Sequence, residues 1–451
     1  MSAPRIDALV VGAGIAGLAA AHTLQGAGAE VLVVDPADRP GGVMRTDHEA
    51  GFVYERGPNT ALVKAPMLRF LERLRLSDQM RPATPAARKR FVYRHGRLVQ
   101  VPGSPWGLAR TPLLSAGAKL RLLSEPFRRR GAGPPESVAE FVDRRLGPQV
   151  TRELVGPFLT GVYAGDEREL GAEAVFPGLV EAERRRGSLA LGGLAALGRR
   201  GERGLAGSHA PERGFGPLAR ALAEALHEPP ALGTRAERIA PDGSGFRVEL
   251  SGRGGDVAFE AERVVVAAPA YEAGGVLRGL DGEVAAALEG IRYAPLVVAP
   301  VGIETSRLAR GIEGFGFLVP REEKLGLLGC LFMSQLFDGR APEGAELLHC
   351  MIGGVRWPEA VHEPDGALHA RLAEELDQTL GLRDAPAPLA FVRWPRAVPQ
   401  PGRDHVERMA WVAGRLESYP RLGLAGSYVA GVGVPDALAS GLVAAERVLA
   451  A

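Results

Sequence analysis

The chain has 451 residues, of which 46% are hydrophobic and 24% charged, and its formal net charge is +1. This length predicts two or three domains, and the balanced charge gives no reason to expect nucleic acid as a partner. With two cysteines, no CxxC pair and no HExxH motif, the sequence predicts no metal site and is typical of a reducing, cytoplasmic compartment. We recognise neither a secretory signal nor an apolar run of about 18 residues, so no membrane-spanning helix is expected.

The first elements predict a β-turn-α-turn-β unit. A continuous apolar strand of the buried parallel type is expected at 7–11, a helix of small residues at 15–28 and a second strand at 30–35. Helical spacing of apolar residues follows at 65–76. The segment 89–102 predicts a hairpin with His95-Gly96 at its turn.

The character of the chain changes after this hairpin. Residues 103–200 are rich in Arg, Leu, Gly and Pro and mostly helical in pattern, with a low-complexity stretch at 184–204. A helix is expected at 218–226, and the chain closes with a strand, a glycine loop and a helix at 422–450. Strands are expected at 244–250 and 256–269, and an antiparallel sheet is predicted by apolar segments at 296–303, 315–319, 327–333 and 347–353.

Three glycines lie between the first strand and the first helix in a GxGxxG pattern, Gly12, Gly14 and Gly17. Glycine permits the tight turn, the close approach of backbone to a pyrophosphate and close packing of the helix, whose N-terminus then faces the phosphate charge. Asp35 ends the second strand, where its carboxylate can accept hydrogen bonds from ribose hydroxyls. The alternative for Asp35 is a cap of the strand end. In this context the pattern predicts a dinucleotide site.

Two further segments extend the predicted cofactor site. The sequence “DRPGGVMRT” at 38–46 combines a flexible glycine pair with arginines, which suits a second pass along a pyrophosphate. The alternative is an ordinary turn with surface arginines. The sequence “ERGPNT” at 55–60 adds a rigid turn that presents an asparagine. The residues expected at the cofactor in these segments are Arg39, Gly41, Gly42, Gly57, Pro58 and Asn59.

These residues carry a resemblance to a known family. The pattern GAGIAGL…VVD…DRPGG…RT, closed by LAGSYVAG…ASGLVAA at 424–445, resembles the flavin-containing amine oxidase superfamily. The resemblance implies FAD rather than NAD as the bound dinucleotide, and it brings the C-terminal glycine loop and helix N-terminus back to the flavin ring. It assigns further cofactor contacts to Ala236, Trp394, Gly426, Val432, Gly433 and Val434.

Three features select a branch of this superfamily. Amine oxidases of the group usually carry a lysine near the flavin from a central strand, and 291–303 has none. Those with a covalent flavin use a C-terminal cysteine, and none follows Cys350. Several segments resemble the protoporphyrinogen oxidase family in particular: RGPNT, KRFVYRHGRLVQVP, TGVYAGDEREL, GFGFLVP, LLGCLF, MIGG, RWPRAVPQPGRDH and GVGVPD. The sequence departs from the family pattern at 401–402 and 435–438, which affects the flavin contacts expected there.

The family resemblance implies oxidation of protoporphyrinogen IX to protoporphyrin IX in haem biosynthesis. It implies three two-electron steps, with O2 as the acceptor and H2O2 as the product. Arg90 matches the arginine that pairs a substrate propionate, and Asn59 lies near the flavin, so these two residues are expected to serve catalysis. The alternative for Arg90 is a strand-surface arginine. Residues matched to positions that clamp the substrate ring, or that alternatively form ordinary sheet core, are Phe315, Leu318, Leu328 and Met351.

The stretch “FLTGVYAGD” at 158–166 places two glycines, Gly161 and Gly165, in a helical region. Glycine disfavours a helix interior, so we expect the helix to break here. The resemblance makes this segment a loop into the substrate cavity, with Gly161 against the flat macrocycle. The alternative is a turn between helices that needs positive φ at both glycines.

The expected fold class is α/β plus α+β. A Rossmann-like FAD-binding domain built from discontinuous segments, a mixed-sheet substrate domain and a helical membrane-side domain are predicted. Their respective bounds are 1–84, 207–290 and 390–451; 85–101 and 291–389; and 102–206.

Peripheral membrane contact is a hypothesis that rests on segment 104–130, which combines Trp106, paired leucines and cations as interfacial helices do. The protein would then be cytoplasmic and peripheral on the inner face of the cell membrane. The rival is a soluble enzyme that acts on coproporphyrinogen III. An amine oxidase, a carotenoid desaturase and a non-catalytic FAD-binding scaffold are the alternatives of other classes. The sequence leaves two questions about partners open: whether ferrochelatase or another haem-pathway enzyme binds the protein, and whether the protein forms a homodimer.

Overall fold

Two seven-stranded sheets organise the chain in the computed structural model, which describes residues 3–131, 133–192, 204–252, 255–308 and 311–451. The first sheet is built from strands within 5–35, 231–266 and 422–424, and the second from strands within 90–100 and 293–399. A group of helices lies between residues 105 and 186. The α/β plus α+β expectation is therefore confirmed.

The first sheet is centred on the strand Arg5–Val11, which pairs in parallel with Val31–Asp35 on one side and Val257–Val266 on the other. Leu9 and Val10 are fully buried, because helices and strands cover both faces of a parallel sheet of this kind. The strand order is Thr234–Asp242, Gly245–Gly252, Val257–Val266, Arg5–Val11, Val31–Asp35 and Ala231–Leu232, with Leu422–Leu424 beside Val257–Val266.

Two helices, Ile15–Gly26 and Val434–Leu449, pack against each other beside this sheet. Their backbones approach so closely that a Cβ added at Gly441 would clash with the Ala16 carbonyl. The closing helix of the chain is thereby fixed against the helix that follows the GxGxxG loop, so both ends of the sequence contribute to one site.

The second sheet is mixed. Its strand order is Val392–Pro399, Tyr293–Glu304, Ala345–Gly353, Leu327–Phe332, Gly316–Leu318, Arg90–Arg94 and Arg97–Gln100. All neighbours are antiparallel except Gly316–Leu318 and Arg90–Arg94, which are parallel. The predicted hairpin is confirmed, with φ of 49° at His95 and 74° at Gly96 in its turn.

The described part of the region predicted to be helical, 102–206, consists of short helices joined by loops. Its helices are Pro105–Arg110, Ala116–Leu123, Val138–Arg145, Pro148–Val150, Gly156–Tyr163, Ala172–Val175 and Pro177–Arg186, with a π-helical turn at Thr151–Val155. Within the described residues, none of the helices is long and apolar enough to cross a membrane. Much of the predicted low-complexity stretch, residues 193–203, lies outside the described residues.

The remaining elements connect these parts. A short hairpin joins Thr46–Glu49 to Phe52–Glu55, and a long-range antiparallel pair joins Met80–Pro82 to His209–Pro211. The other helices are Ala65–Arg73, Phe215–Glu224, Ala270–Leu277, Gly282–Glu289, Met333–Leu336, Asp365–Leu380, His405–Arg415 and Ser427–Ala430. Single 3-10 turns lie at Ser77–Gln79, Pro85–Arg88, Glu125–Phe127, Thr305–Arg307, Arg321–Glu323, Gly354–Arg356, Pro358–His362 and Leu416–Ser418.

Two sequence expectations need correction. The strand Val392–Pro399, placed within the flavin domain at 390–451, is the edge strand of the second sheet, where it pairs with Tyr293–Glu304. The rest of the domain division stays a prediction. The helix break expected at 158–166 occurs within that stretch but not at Gly161, because the helix Gly156–Tyr163 runs through Gly161 and ends at Ala164, which takes a φ of 49°.

Candidate active site

The GxGxxG loop is built by backbone packed against backbone. Gly12 has a φ of 107°, and a Cβ there would lie 2.9 Å from the Ala267 carbonyl oxygen. A Cβ at Gly17 would clash with the Gly12 carbonyl, so the helix packs directly onto the loop. Beside Gly14, by contrast, a Cβ would meet nothing within 4 Å. The loop therefore leaves open space at the start of a helix that has no side-chain cap.

This open space fits the diphosphate of a dinucleotide. The first N–H groups of a helix lack intrahelical acceptors, and its dipole favours an anion at that end. Gly14 is the N-cap of the 12-residue helix Ile15–Gly26, and it brings no side chain into the space. A phosphate can then approach the N–H groups of the helix N-terminus directly.

Asp35 ties the loop to the second strand. Its Oδ2 accepts from the Ala13 N–H at 2.7 Å and its Oδ1 from the Ala37 N–H at 2.8 Å. The carboxylate thus caps the strand end, which was the alternative role. Each oxygen receives one protein donor and keeps a further lone pair, so the predicted contact with ribose hydroxyls stays a prediction.

The second glycine segment lies directly against the first. The Gly41 N–H donates to the Ala13 carbonyl at 2.8 Å, and a Cβ at Gly42 would be 3.6 Å from the Gly14 Cα. Both terminal nitrogens of Arg39 donate to carbonyls of this segment, those of Pro40, Gly42 and Met44. Burial lowers the pKa of the Arg39 guanidinium. Arg39 therefore shapes the loop, and its direct contact with a pyrophosphate stays a prediction.

The Gly57-Pro58-Asn59 turn lies between the glycine segment around Val43 and the second sheet. A Cβ at Gly57 would clash with the Val43 carbonyl, so this position requires glycine for close approach. The Trp394 Nε1–H donates to the Arg56 carbonyl at 2.8 Å, which fixes the tryptophan of the edge strand beside the turn. The structure thus places three predicted cofactor residues, Gly57, Asn59 and Trp394, in one neighbourhood.

The C-terminal loop reaches the same region from the other side. Gly426 has a φ of 132°, and its N–H donates to the Ser440 hydroxyl at 2.8 Å. Gly433 is the N-cap of the helix Val434–Leu449 and provides no side-chain cap. Val434 is buried in the core of the first sheet.

Two other predicted cofactor residues, Val432 and Ala236, pack in different apolar clusters from Val434. Val432 packs against the apolar cluster of the helical region, so the loop that carries it bridges that region and the first sheet. Ala236 is buried next to a register irregularity in the strand Thr234–Asp242. Its place at the cofactor stays a prediction.

The apolar residues predicted to clamp a ring fall into two groups. Leu328 and Met351 pack together with Ala164 at the end of the helix Gly156–Tyr163. Leu318 contacts the same helix, since a Cβ added at Gly161 would lie 2.5 Å from its Cδ2.

Neither Gly161 nor Gly165 has positive φ, so the turn hypothesis for both residues is wrong. At Gly161 the absent side chain allows close approach of Leu318, and at Gly165 a Cβ would clash with the Gln400 side chain. Contact of Gly161 with a bound ring stays a prediction.

Phe315, the remaining residue predicted to clamp the ring, contacts Arg90. The Arg90 guanidinium carbon lies 4.5 Å from the centre of the Phe315 ring, a cation–π geometry. Two nearby cations are paired, Lys89 with Glu313 and Arg94 with Glu153 and Glu323.

Among the described residues no carboxylate pairs with Arg90. Loss of solvent around its guanidinium lowers its pKa. The pair Arg90–Phe315 therefore presents an unpaired cation next to an apolar surface.

Sequence reasoning missed two polar residues of this region. His349 is 1% exposed, and its Nε2 lies 2.9 Å from Asn59 Nδ2. It precedes Met351 by two positions in a strand, so the period of two places both side chains on one face. Gln400 donates through Nε2 to the Tyr163 carbonyl at 2.7 Å and holds the end of the helix Gly156–Tyr163. No local pattern signals this second contact.

Comparisons with known proteins identify the family to which the chain belongs. A family model described as flavin containing amine oxidoreductase matches residues 15–449. The chain is 32% identical to protoporphyrinogen oxidase 1, chloroplastic, of Arabidopsis thaliana, over 94% of this chain and 84% of that protein. It is 30% identical to the protoporphyrinogen oxidase of Homo sapiens, over 98% of each chain.

Solved structures share the fold. A crystal structure from Exiguobacterium sp. 255-15 has a TM-score of 0.80 at 24% identity, covering 99% of this chain and 98% of that one. Reduced UDP-galactopyranose mutase has a TM-score of 0.72 at 18% identity, covering 99% of this chain and 96% of that one. At these identities the likeness concerns the fold alone.

Proposed function

Since the chain belongs to the flavin containing amine oxidoreductase family, and within it to the protoporphyrinogen oxidases, we propose that it oxidises protoporphyrinogen IX to protoporphyrin IX. The observation in the site that carries the proposal is Arg90, a guanidinium without a carboxylate partner among the described residues that lies over Phe315. An apolar surface beside a free cation is complementary to an apolar ring that bears carboxylate groups.

FAD is the cofactor, and when bound it supplies the two-electron acceptor that the side chains cannot provide. The glycines at 12, 14 and 17 and the opposed pair at 41 and 42 would hold its diphosphate. Asp35 would meet the ribose. The loops at 57–59 and 426–434 would enclose the ring. No cysteine follows Cys350 in the sequence, so the flavin is expected to be bound non-covalently.

We call the residues predicted to contact the substrate the substrate face; they are Arg90, Phe315, Leu318, Leu328 and Met351. These residues would orient the porphyrinogen. Arg90 would bind a propionate as a bidentate partner, far from the reacting carbon. Leu318, Leu328 and Met351 would press on the ring and exclude water. The task is mainly positioning, and it fits a site in which polar groups are few. An amine oxidase is not favoured, because the strand Tyr293–Glu304 contains no lysine.

Molecular oxygen is the proposed acceptor of the flavin electrons, with hydrogen peroxide as product. The purified enzyme should convert protoporphyrinogen IX to the fluorescent porphyrin under air and form peroxide in step. The measurement is porphyrin fluorescence with peroxide detection in the same sample. Oxidation at the spontaneous rate by a preparation with full FAD content would overturn the proposed function.

Peripheral binding to a membrane surface is a second proposal, and an exposed apolar patch supports it. Trp106 is 76% exposed and Phe127 is 88% exposed, and Leu120 and Leu123 lie in the helix between them. The segment 128–130 adds three arginines next to Phe127. Exposed aromatic and leucine side chains beside cations are typical of helices that lie in an anionic lipid interface.

Vesicles that contain anionic phospholipid test this second proposal. The enzyme should float with such vesicles, and Phe127→Asp should release it because a carboxylate cannot enter the apolar layer. Val443→Asp, which changes an exposed valine in the C-terminal helix, is the matched control and should float like the wild type. Equal flotation of all three proteins, or of none, would contradict membrane contact through this patch.

A further inference from the structure

A buried amide–imidazole pair, Asn59 and His349, joins the Gly57-Pro58-Asn59 turn to the second sheet. Asn59 Nδ2 lies 2.9 Å from His349 Nε2, and His349 is 1% exposed. Two atoms of the pair are buried without a hydrogen-bond partner in the described part of the chain, Asn59 Oδ1 and His349 Nδ1. Buried polar atoms in folded proteins are almost always paired with protein, ordered water or a bound molecule, so Oδ1 and Nδ1 are both open to a partner from outside the chain.

The orientation of the amide is fixed by a second contact. Asn59 Nδ2 also lies 3.3 Å from the Gly57 carbonyl oxygen, which can only accept. Reversal of the amide would set Oδ1 against that carbonyl. The NH2 group therefore faces both Gly57 and His349, and Oδ1 points away from both.

This orientation determines the state of the imidazole. Nε2 must accept from the NH2 group, so it carries no proton, and the proton of the neutral ring is on Nδ1. Burial favours the neutral ring and lowers the pKa of His349 to about 4. The imidazole is therefore a fixed acceptor at neutral pH, and it holds the amide of Asn59 in one orientation.

The position of the pair indicates which molecule provides the donor. Asn59 follows Gly57, whose backbone packs on Val43 of the cofactor segment, and Trp394 donates to Arg56 beside the same turn. His349 lies on the strand face that also carries Met351. The pair thus lies at the junction of the cofactor loops and the predicted substrate face.

We propose that His349 is a positioning residue that holds the Asn59 amide so that Oδ1 accepts a hydrogen bond from a ring N–H of the bound flavin. The inference rests on FAD as the cofactor and not on the identity of the porphyrinogen. Its failure and the failure of the proposed substrate are therefore distinguishable. A pyrrole N–H of a substrate has the same chemistry, and the experiment separates the two sources.

The rate of FAD release from the holoenzyme, followed by the rise in flavin fluorescence, tests the proposal. His349→Leu removes the acceptor with little change in volume and should speed release about two- to tenfold, the worth of one hydrogen bond. His349→Gln can keep an acceptor oxygen near the position of Nε2 and should restore most of the slow release. Asn59→Leu should match His349→Leu, and the double variant should be no worse than either single variant.

A matched control separates positioning from general stability. His369, on the helix Asp365–Leu380, also makes one polar contact through Nε2, in its case with the Ala385 carbonyl at 3.1 Å. His369→Leu should lower the unfolding temperature without changing FAD release. If His349→Leu changes only the unfolding temperature, or changes only KM while FAD release stays at the wild-type rate, the proposal is overturned.

A measurement on the unaltered holoenzyme does not depend on whether any variant folds. Nitrogen-15 NMR of histidine-labelled protein reports which ring nitrogen carries the proton. The proposal requires that Nε2 of His349 is unprotonated and Nδ1 protonated at neutral pH. A proton on Nε2 would place Oδ1 of Asn59 against the imidazole and overturn the assignment.

Discussion

The cofactor loops and the substrate face of this protein are built by different means. In the cofactor loops backbone packs on backbone: side chains at Gly17 and Gly57 would clash with carbonyl groups, and Arg39 donates to the carbonyls of its own loop. On the substrate face, side chains define the surface, and the Arg90 guanidinium has no carboxylate partner in the described chain. Substitutions should therefore act on FAD content in the first region and on substrate binding in the second.

The largest expected effect tests the backbone construction of the cofactor loops. Gly14→Val should abolish FAD content while the protein still folds, because its Cβ meets nothing in the protein and would occupy the space proposed for the diphosphate. Absorbance of the flavin after gel filtration measures FAD content, and the unfolding temperature measures folding.

Two further glycines of the same helix sharpen this test. Gly26→Val also places its side chain in open space, but at the far end of the helix, and should keep its FAD. Gly17→Val should lose both FAD and stability, because its side chain would clash with the Gly12 carbonyl. Normal FAD content in Gly14→Val would show that the diphosphate does not occupy the space beside Gly14.

The second effect concerns pH and the buried histidine at the junction of the two regions. The folded-state pKa of His349 is about 4, against an ordinary value of 6.5. The unfolded chain therefore binds a proton between these values and the folded chain does not, so stability is complete above pH 6.5 and falls as the pH drops towards 4. The shift corresponds to about 3 kcal/mol at most.

Denaturant unfolding at several pH values measures this contribution. The difference in free energy of unfolding between the wild type and His349→Gln should change by that amount between pH 7 and pH 4. The other histidines whose pKa is lowered by burial, His22 and His405, are present in both proteins and cancel in the difference. A difference that does not vary with pH would show that His349 titrates normally.

The third effect addresses the cation of the substrate face. Arg90→Ala should lower kcat/KM roughly 10- to 150-fold, because a charge-assisted hydrogen bond to a propionate is worth about 1.5–3 kcal/mol. FAD content should not change. Lysine should recover only part of the loss, since it lacks the bidentate fork.

Two controls accompany Arg90→Ala. Arg88→Ala removes a neighbouring exposed arginine and should behave like the wild type. A porphyrinogen with esterified propionates should be nearly indifferent to the loss of Arg90. An equal loss on the ester and on the free acid would exclude the propionate contact.

The smallest expected effect is at Gly161. An added methyl group would lie 2.5 Å from Leu318 Cδ2, so Gly161→Ala should displace this leucine, at a cost of about 1–3 kcal/mol. KM for the porphyrinogen should rise while FAD content stays constant. Leu318→Val in the same chain should relieve part of the effect, because it removes one methyl group from the contact. An unchanged KM with a lowered unfolding temperature would show that the contact only supports the fold.

The two regions also differ in how far the sequence predicts them. Gly12, Gly14 and Gly17 lie between a strand and a helix, and this local order was sufficient to predict the loop and the strands around it. The hairpin at Arg90–Gln100 was predicted for the same reason, since His95-Gly96 is a local turn signal.

Long-range packing decided the features that the sequence did not predict. The helix Gly156–Tyr163 continues through Gly161, because its packing on the second sheet outweighs the local preference of glycine. The strand Val392–Pro399 joins the second sheet through register with residues about a hundred positions earlier. The contact between Asn59 and His349 spans 290 positions, and no periodic pattern within either segment signals it.

The most direct test of the proposed oxidation is the anaerobic reduction of the flavin by protoporphyrinogen IX. Under strict exclusion of oxygen, limiting protoporphyrinogen should bleach the flavin absorbance of excess enzyme, with three flavins reduced for each protoporphyrin formed, since each flavin accepts two electrons. Admission of air should restore the oxidised spectrum. A flavin that stays oxidised in the presence of protoporphyrinogen but is bleached by an amine would contradict the account.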